Sequence, residues 1–240
     1  MEDSKVFSKI FDGLKAAYGT YRVKRTAQSG KNVGQAAVVK APRTPALWEG
    51  HLSGKGDALG IIPINEDNSC VWGCIDIDTY PLDHKELISK IRKAKLPLVV
   101  CRSKSGGAHC FLFTTTWISA QEMQETLHHI AASLGYGGCE IFPKQVKLFL
   151  DRGDVGNFLN MPYFDAEDGL RYGIKDDGQS ATLHEFFEMH KKYAQTPEQV
   201  GGITVEEDAS IPVKDGPPCL QILAREKISE GGRNNGLFNL

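Results

Sequence analysis

The chain has 240 residues, 41% of them hydrophobic and 24% charged, a balance that excludes a disordered or fibrous protein and suits a folded core. Its formal net charge of −2 singles out no class of partner by itself. No apolar run is long enough to span a bilayer, and Met1-Glu2-Asp3 opens on acids where a secretory signal opens on bases, so no membrane partner and a cytoplasmic compartment are expected.

From the N-terminus, Phe7, Ile10, Phe11 and Leu14 recur at helical spacing, predicting an amphipathic helix over 4–18 that Gly19 ends. A turn at Ser29-Gly30-Lys31 leads to a strand over 35–40. A short helix then carries Leu47, Trp48 and His51 and stops at Gly54. Between Thr20 and Lys55 there are seven basic residues (Arg22, Lys24, Arg25, Lys31, Lys40, Arg43, Lys55) and one acid, Glu49. A locally basic arm on a near-neutral chain suits phosphate contact, although a solvated surface has the same look. Arg22, Lys24, Arg25, Trp48 and His51 are therefore candidates for contact with a nucleic-acid strand. For Trp48 the competing role is core packing, and for His51 it is capping of its own helix.

A strand over 58–64 is followed by the informative stretch. Strands are expected over 71–78, 98–102, 108–113 and 139–142, with helices over 83–93 and from Ser119 to about Leu134. Ser119 with Glu122 has the form of a capping box. The order β-α-β-β-α-β is the ferredoxin-like arrangement, shared with RNA-recognition domains, and the fold class is α+β. Shorter strands near 156–161 and 170–174 come next, then a helix opening at Thr182 with Glu185 at capping-box spacing. Residues 1–195 read as one catalytic unit, with an N-terminal α/β part over 1–65 and an RRM-like part over 66–195. Residues 196–216 read as a linker. Residues 217–240 read as the start of a helical segment broken off in mid-pattern, so the chain is expected to be a fragment of something longer.

The six cysteines, at 70, 74, 101, 110, 139 and 219, show no C-x-x-C pair. They are expected to be reduced thiols without a structural zinc.

Alternation along the expected strands assembles a site. In Cys74-Ile75-Asp76-Ile77-Asp78 the isoleucines take one face and the acids the other. The isoleucines belong under the helices, since burying unpaired carboxylates there is costly. The same rule leaves His109 outward on the third strand and Glu140 outward on the fourth. In this fold the first strand lies between those two, so three carboxylates and a histidine are expected on one open sheet face. Such carboxylates repel unless cations sit between them, and oxygen-only ligands favour Mg2+ or Mn2+. Two such ions are a device of polymerases and nucleases. Ser105-Gly106-Gly107, just ahead of His109, combines close backbone approach with a hydroxyl, as a triphosphate seat requires. Phe111 and Phe113 share His109's face and are expected to pack beneath residues 156–163 rather than stack bases. Lys144 lies on the same face as Phe142.

Three segments resemble motifs I, II and III of the archaeo-eukaryotic primase superfamily: Ile75-Asp76-Ile77-Asp78, Ser105-Gly106-Gly107-Ala108-His109, and Glu140-Ile141-Phe142-Pro143-Lys144-Gln145. Within it the resemblance is to the prim-pol domains of phages, mobile elements and TOTE-type conflict systems. Gly156-Asn157-Phe158-Leu159-Asn160-Met161-Pro162-Tyr163 is similar to the segment that follows in those proteins, and Trp48, His51 and Gly54 fit their N-terminal pattern. The resemblance implies a primase-polymerase acting on a single-stranded DNA template with NTPs or dNTPs. Asp76, Asp78 and Glu140 would then hold two divalent cations. Ser103 or Ser105, the two glycines and His109 would hold the nucleotide's phosphates, with Lys144 and Asn157 near nucleotide or template. Residues 217–240 are similar to the helical segment after such domains, beyond which a helicase often lies. A non-catalytic single-strand-binding module and a metal-dependent nuclease are the alternatives on the same frame.

Overall fold

The computed structural model describes residues 2–26 and 32–204. In chain order the elements are α1 (Glu2–Ile10), β1 (Tyr18–Thr26), β2 (Asn32–Val39), α2 (Pro45–Leu52), β3 (Ala58–Ile61), β4 (Ser69–Ile77), α3 (His84–Lys93), β5 (Val99–Arg102) and β6 (Ala108–Ser119). They continue with α4 (Ala120–Ser133), β7 (Glu140–Phe142), β8 (Leu159–Asn160), β9 (Gly173–Ile174), β10 (Ser180–Ala181), α5 (Leu183–Tyr193) and α6 (Pro197–Gly201).

The run β4-α3-β5-β6-α4-β7 is the expected β-α-β-β-α-β unit. Its strands lie in a six-stranded sheet of order β10-β9-β5-β6-β4-β7, so β4 sits between β6 and β7. Asp83 caps α3 by accepting from Glu86 N–H, and Ser119 caps α4 through Glu122 N–H. Thr182 and Glu185 form the full reciprocal capping box that opens α5.

The sheet is buried on both sides. Ile75, Ile77, Cys110, Leu112 and Ile141 join a core with Leu87, Ile91, Met123 and Leu127 of α3 and α4. On the other side, Trp72, Cys74, Phe111, Phe113 and Phe142 join Phe7 and Phe11 of α1 and its exit, Trp48 of α2 and Phe186 of α5. The face expected to be open is thus closed along most of its length. Phe111 stacks on Phe113 at 5.5 Å between ring centroids and meets Phe11 edge-on at 5.2 Å. The two rings pack, as expected, but their ring partners from outside the sheet are Phe11 from the N-terminal part and, for Phe113, His190 and Phe186 of α5.

A second sheet of order β2-β1-β3-β8 completes the fold. Here β8, from beyond the RRM-like unit, pairs with β3, so the 1–65 and 66–195 parts share a sheet as well as a core. The first helix is shorter than its periodicity predicts. At Gly13 a side chain would stand 2.1 Å from the Ile62 carbonyl oxygen, and Leu14 N–H donates to that same oxygen at 3.0 Å. The chain therefore turns against β3's exit, and Leu14 reaches the core from a loop. Gly19, expected to end the helix, lies opposite Gly60 in the β1–β3 ladder, where the Phe158 ring covers both and leaves no room for a Cβ.

The start of the expected linker is folded. Thr196 and Gln199 form a capping box for α6, Val200 is buried, and Gln195 bridges in parallel to Thr114 of β6. The remainder of that segment and residues 217–240 lie outside the described residues, as does the turn at 29–31. Among the described residues no helix is long and apolar enough to cross a membrane.

Trp48 and His51 depart from the expected contact with nucleic acid. Trp48 is buried in the aromatic core. His51 is fully buried: Nε2 donates to the Pro162 carbonyl at 2.7 Å and Nδ1 accepts from Leu59 N–H at 2.9 Å. The ring ties α2 to β3 and to the 159–163 segment, and does not cap its own helix. Burial lowers its pKa to about 4, so it is neutral in the fold. A histidine whose folded pKa lies below its unfolded value near 6.5 contributes stability that is complete above 6.5 and lost as pH falls toward 4. His51→Ala is expected to cost about 2–3 kcal/mol at pH 7.5, because it orphans two buried backbone groups. It is also expected to flatten the loss of stability between pH 6.5 and 4, which urea unfolding at several pH values measures.

Candidate active site

Asp76 is the centre of the site. Antiparallel register sets it directly opposite His109 of β6 on one side and Glu140 of β7 on the other. Alternation keeps all three off the α3/α4 face. Asp78 follows just past the end of β4 and is exposed. The expected row of residues is thus present, but at the rim of a buried sheet rather than on a solvated face. The gradient runs along the strands: Trp72 and Cys74 are fully buried, Asp76 is half-buried, and Asp78 is in water.

The rim position has an electrostatic consequence. Desolvation, followed by repulsion from Asp78 and Glu140, pushes the Asp76 carboxyl up to about 7, against a smaller opposing pull from Lys144. Its Oδ1 is buried without a hydrogen-bond partner. The nearest basic atom, His109 Nε2, is 3.4 Å away, and His109 carries no charge there. Burial first, and then the Arg171 charge, lower the His109 pKa to about 4. Its ring is almost wholly enclosed and meets Phe111 edge-on.

Glu140 is paired with Lys144 (Oε2 to Nζ 2.7 Å), whose ammonium also lies 5.1 Å from the Phe142 ring centroid. Lys144 is on the expected face and supplies the positive charge that Glu140 needs. As the side chains stand, no three His, Cys, Asp or Glu groups among the described residues form a ready metal cage. The strand register delivers the carboxylates, while the Glu140 rotamer faces its lysine. An unpaired buried carboxylate oxygen, mutual repulsion and an all-oxygen donor set nevertheless fit a divalent cation.

The β5–β6 connection is a tight hairpin in which Ser103 N–H donates to the Gly107 carbonyl at 2.9 Å and Gly106 N–H to the Ser103 carbonyl at 3.1 Å. Gly106 has φ +96°, and a side chain at Gly107 would stand 2.2 Å from the Ile77 carbonyl oxygen. Glycine is therefore required where the hairpin presses on the end of β4, between Asp76 and Asp78. The two serines differ. Ser103 is buried and its Oγ has no partner. Ser105 is exposed and hydrogen-bonds Tyr80, whose hydroxyl donates to Asp78 Oδ1 at 2.7 Å.

Asn157 is exposed and pairs reciprocally with Gln145: its N–H donates to Gln145 Oε1 at 3.1 Å, and Gln145 Nε2 donates to Asn157 Oδ1. The pair links the chain after β7 to the start of the 156–163 segment. Tyr163 of that segment is a structural pin. Its hydroxyl accepts from Gly173 N–H and donates to the Ala181 carbonyl, each at 2.9 Å. Arg22, Lys24 and Arg25 lie in β1, and their side chains fall outside what the structure describes.

Three residues had escaped the sequence reading. Tyr80 bridges Asp78 to Ser105, and Gln145 locks Asn157. Arg171 is buried, its guanidinium donating a long bond of 3.4 Å to the Met161 carbonyl and lying 5.6 Å from the Phe164 ring centroid, and its charge is felt at both His109 and His51. Gln145 stands inside a recognised motif and Tyr80 just past one. Nothing in the sequence around Arg171 marks it.

The description "TOTE conflict system, Archaeo-Eukaryotic Primase domain" matches residues 7–193. The chain belongs to this family. A search of curated proteins gives no match. Among solved structures, the catalytic domain of primase RepB′ in complex with initiator DNA aligns at 11% identity, covering 84% of this chain and 96% of that one, with a TM-score of 0.39. The AEP domain of the cyanophage S-2L primase-polymerase aligns at 10% identity, covering 78% of this chain and 96% of that one, with a TM-score of 0.43.

A carboxyl whose folded pKa stands above its unfolded value favours the fold below the unfolded value, near 4, and loses that contribution as pH rises through about 7. Asp76→Asn is therefore expected to raise the melting temperature at pH 8 in a chelator, by roughly 2–4 °C for each kcal/mol of strain relieved in a chain of this size, and to leave it unchanged at pH 4. Excess Mn2+ at pH 8 is expected to reverse the ranking by stabilising only the parent chain. Differential scanning fluorimetry across pH reads all three.

Proposed function

We propose that this primase-family domain is a template-directed nucleotidyltransferase that makes or extends primers on single-stranded DNA. The observation that carries the reading is Asp76. It is flanked in register by His109 and Glu140, repelled by the acids around it, and left with an unpaired buried oxygen.

On this reading Asp76, Asp78 and Glu140 hold two divalent cations, Mg2+ or Mn2+. These, when bound, would activate a 3′-hydroxyl for attack on the α-phosphate and steady the departing pyrophosphate. The chain's own groups orient the nucleotide. The glycine hairpin lets backbone approach the phosphates closely, and Ser103 is the better serine for direct contact because its buried hydroxyl is otherwise unpartnered. Neutral His109 donates a hydrogen bond and does not serve as a cation. Were Glu140 to hold a cation, Lys144, now its partner, would be free to pair with a phosphate oxygen. Asn157, held by Gln145, faces nucleotide or template. Tyr80 couples the seat to Asp78 and so keeps the two motifs at fixed spacing.

Asp76→Ala and Asp78→Ala, both expected to fold, should abolish incorporation of labelled NTP or dNTP on circular single-stranded DNA. Full activity in either would end this reading. Shortening of a labelled strand with metal and no nucleotide would favour a nuclease instead. Binding of single strands without metal and without incorporation would favour a recognition module. Between the serines, Ser103→Ala should weaken nucleotide binding by about ten-fold, the worth of one hydrogen bond to a charged group at its lower end. Ser105→Ala should have the smaller effect. Isothermal titration with a non-hydrolysable nucleotide and Mn2+ separates them.

A further inference from the structure

The segment after β7 carries an exposed feature that the site chemistry does not use. Phe149 is 42% exposed, with Val146 and Leu150 exposed beside it. Lys147 Nζ and Arg152 Cζ lie 5.5 and 5.1 Å from the Phe149 ring centroid. Neither cation has a carboxylate within ion-pair distance among the described residues.

This is a built surface and not a stray loop. Leu148 is buried, and its N–H donates to Asn68 Oδ1 at 2.7 Å. Residues Leu150–Arg152 form a 3-10 turn, closed by Arg152 N–H donating to the Phe149 carbonyl at 2.9 Å. Lys40 Nζ caps the turn's exit through the Gly153 carbonyl at 3.0 Å. The backbone thus holds the ring outward while its neighbour Leu148 anchors the segment. Of the nearby acids, Asp154 is turned to Gly156 N–H, which leaves Asp151 as the exposed one. Along the chain, Lys144, Lys147, Phe149 and Arg152 follow Glu140 in that order, so the platform comes shortly after the carboxylate row.

We infer that Phe149, with Lys147 and Arg152, is a stacking platform for an unpaired base of single-stranded DNA, holding the strand beside the carboxylate row. The chemistry is that of single-strand grooves: an aromatic face accepts any base, and cations beside it take the flanking phosphates. Lys147 and Arg152 are exposed and held to the ring by cation–π attraction, which is weak at the surface. An arriving base displaces them onto its own phosphates. The cationic rim without paired carboxylates is why the occupant is a polyanion with flat apolar groups and not an apolar protein segment. The inference rests on the template-directed reading and names where the template lies.

The test uses the full chain. Phe149→Trp is titrated with an oligothymidylate and with an abasic oligomer of equal length, in EDTA. Stacking should quench the new tryptophan's fluorescence with bases and not without them. Phe149→Ala should bind the oligothymidylate about ten-fold or more weakly, with the abasic oligomer unaffected and the melting temperature unchanged. Lys147→Ala and Arg152→Ala should each reduce the slope of log K against log salt by about 0.7. Single-strand binding that leaves the tryptophan unquenched, or that survives Phe149→Ala intact, overturns the platform while the nucleotidyltransferase reading stands. Failure of the parent chain to bind single strands at all overturns both.

Discussion

The site depends on where the hydrophobic burial of one sheet stops. The strands β4 and β6 are buried on both faces for most of their length, by α3 and α4 on one side and on the other by an aromatic core drawn from the N-terminal part, the 159–163 segment and α5. That second core ends at Phe111 and Cys74, and the next pair outward on the same face is His109 and Asp76. Two residues earlier, Asp76 would be a carboxylate among phenylalanines. Two residues later it would be fully hydrated. Its half-buried state is what makes its charge expensive in the bare protein and gives a cation something to stabilise.

The electrostatics divide the work between groups that titrate and groups that do not. His51 and His109 are held neutral by burial, and Arg171, although desolvated, remains a cation at any ordinary pH. Within the site, Asp76 is the group whose charge changes near neutrality. Lys144 moderates it from outside, its charge opposing the repulsion from Glu140. A buried permanent charge, a neutral histidine and a carboxylate that titrates near neutrality thus stand within the same few residues.

Much of this could be read before the fold was seen. The alternation Ile75-Asp76-Ile77-Asp78 set the acids on one face, and the β-α-β-β-α-β order set His109 and Glu140 beside them, because both follow from a period of two and a known strand order. The covering of the other face was also partly written there. Trp72 and Cys74, with Phe111 and Phe113, share the side of the acids, and four apolar residues on an outward face ask for a cover. What pattern could not reach was contact across long separations. The charge of Arg171 is brought within reach of His109 by tertiary placement. His51 looks like a surface histidine until Leu59 and Pro162 close on it. Leu14 keeps helical spacing while lying in a loop, because Gly13 turns the chain against Ile62.

The Ser103–Gly107 hairpin carries two glycines, which in an unfolded chain sample more conformations than any other residue. Here it is gripped from both layers. His84, at the start of α3, bonds the Gly107 carbonyl at 3.0 Å, and Lys104 Nζ sits 3.6 Å from the Tyr21 ring centroid on β1. The conformational freedom of those glycines is surrendered once, when the layers close. A ligand arriving afterwards meets a turn already in shape, and none of its binding free energy goes into ordering it.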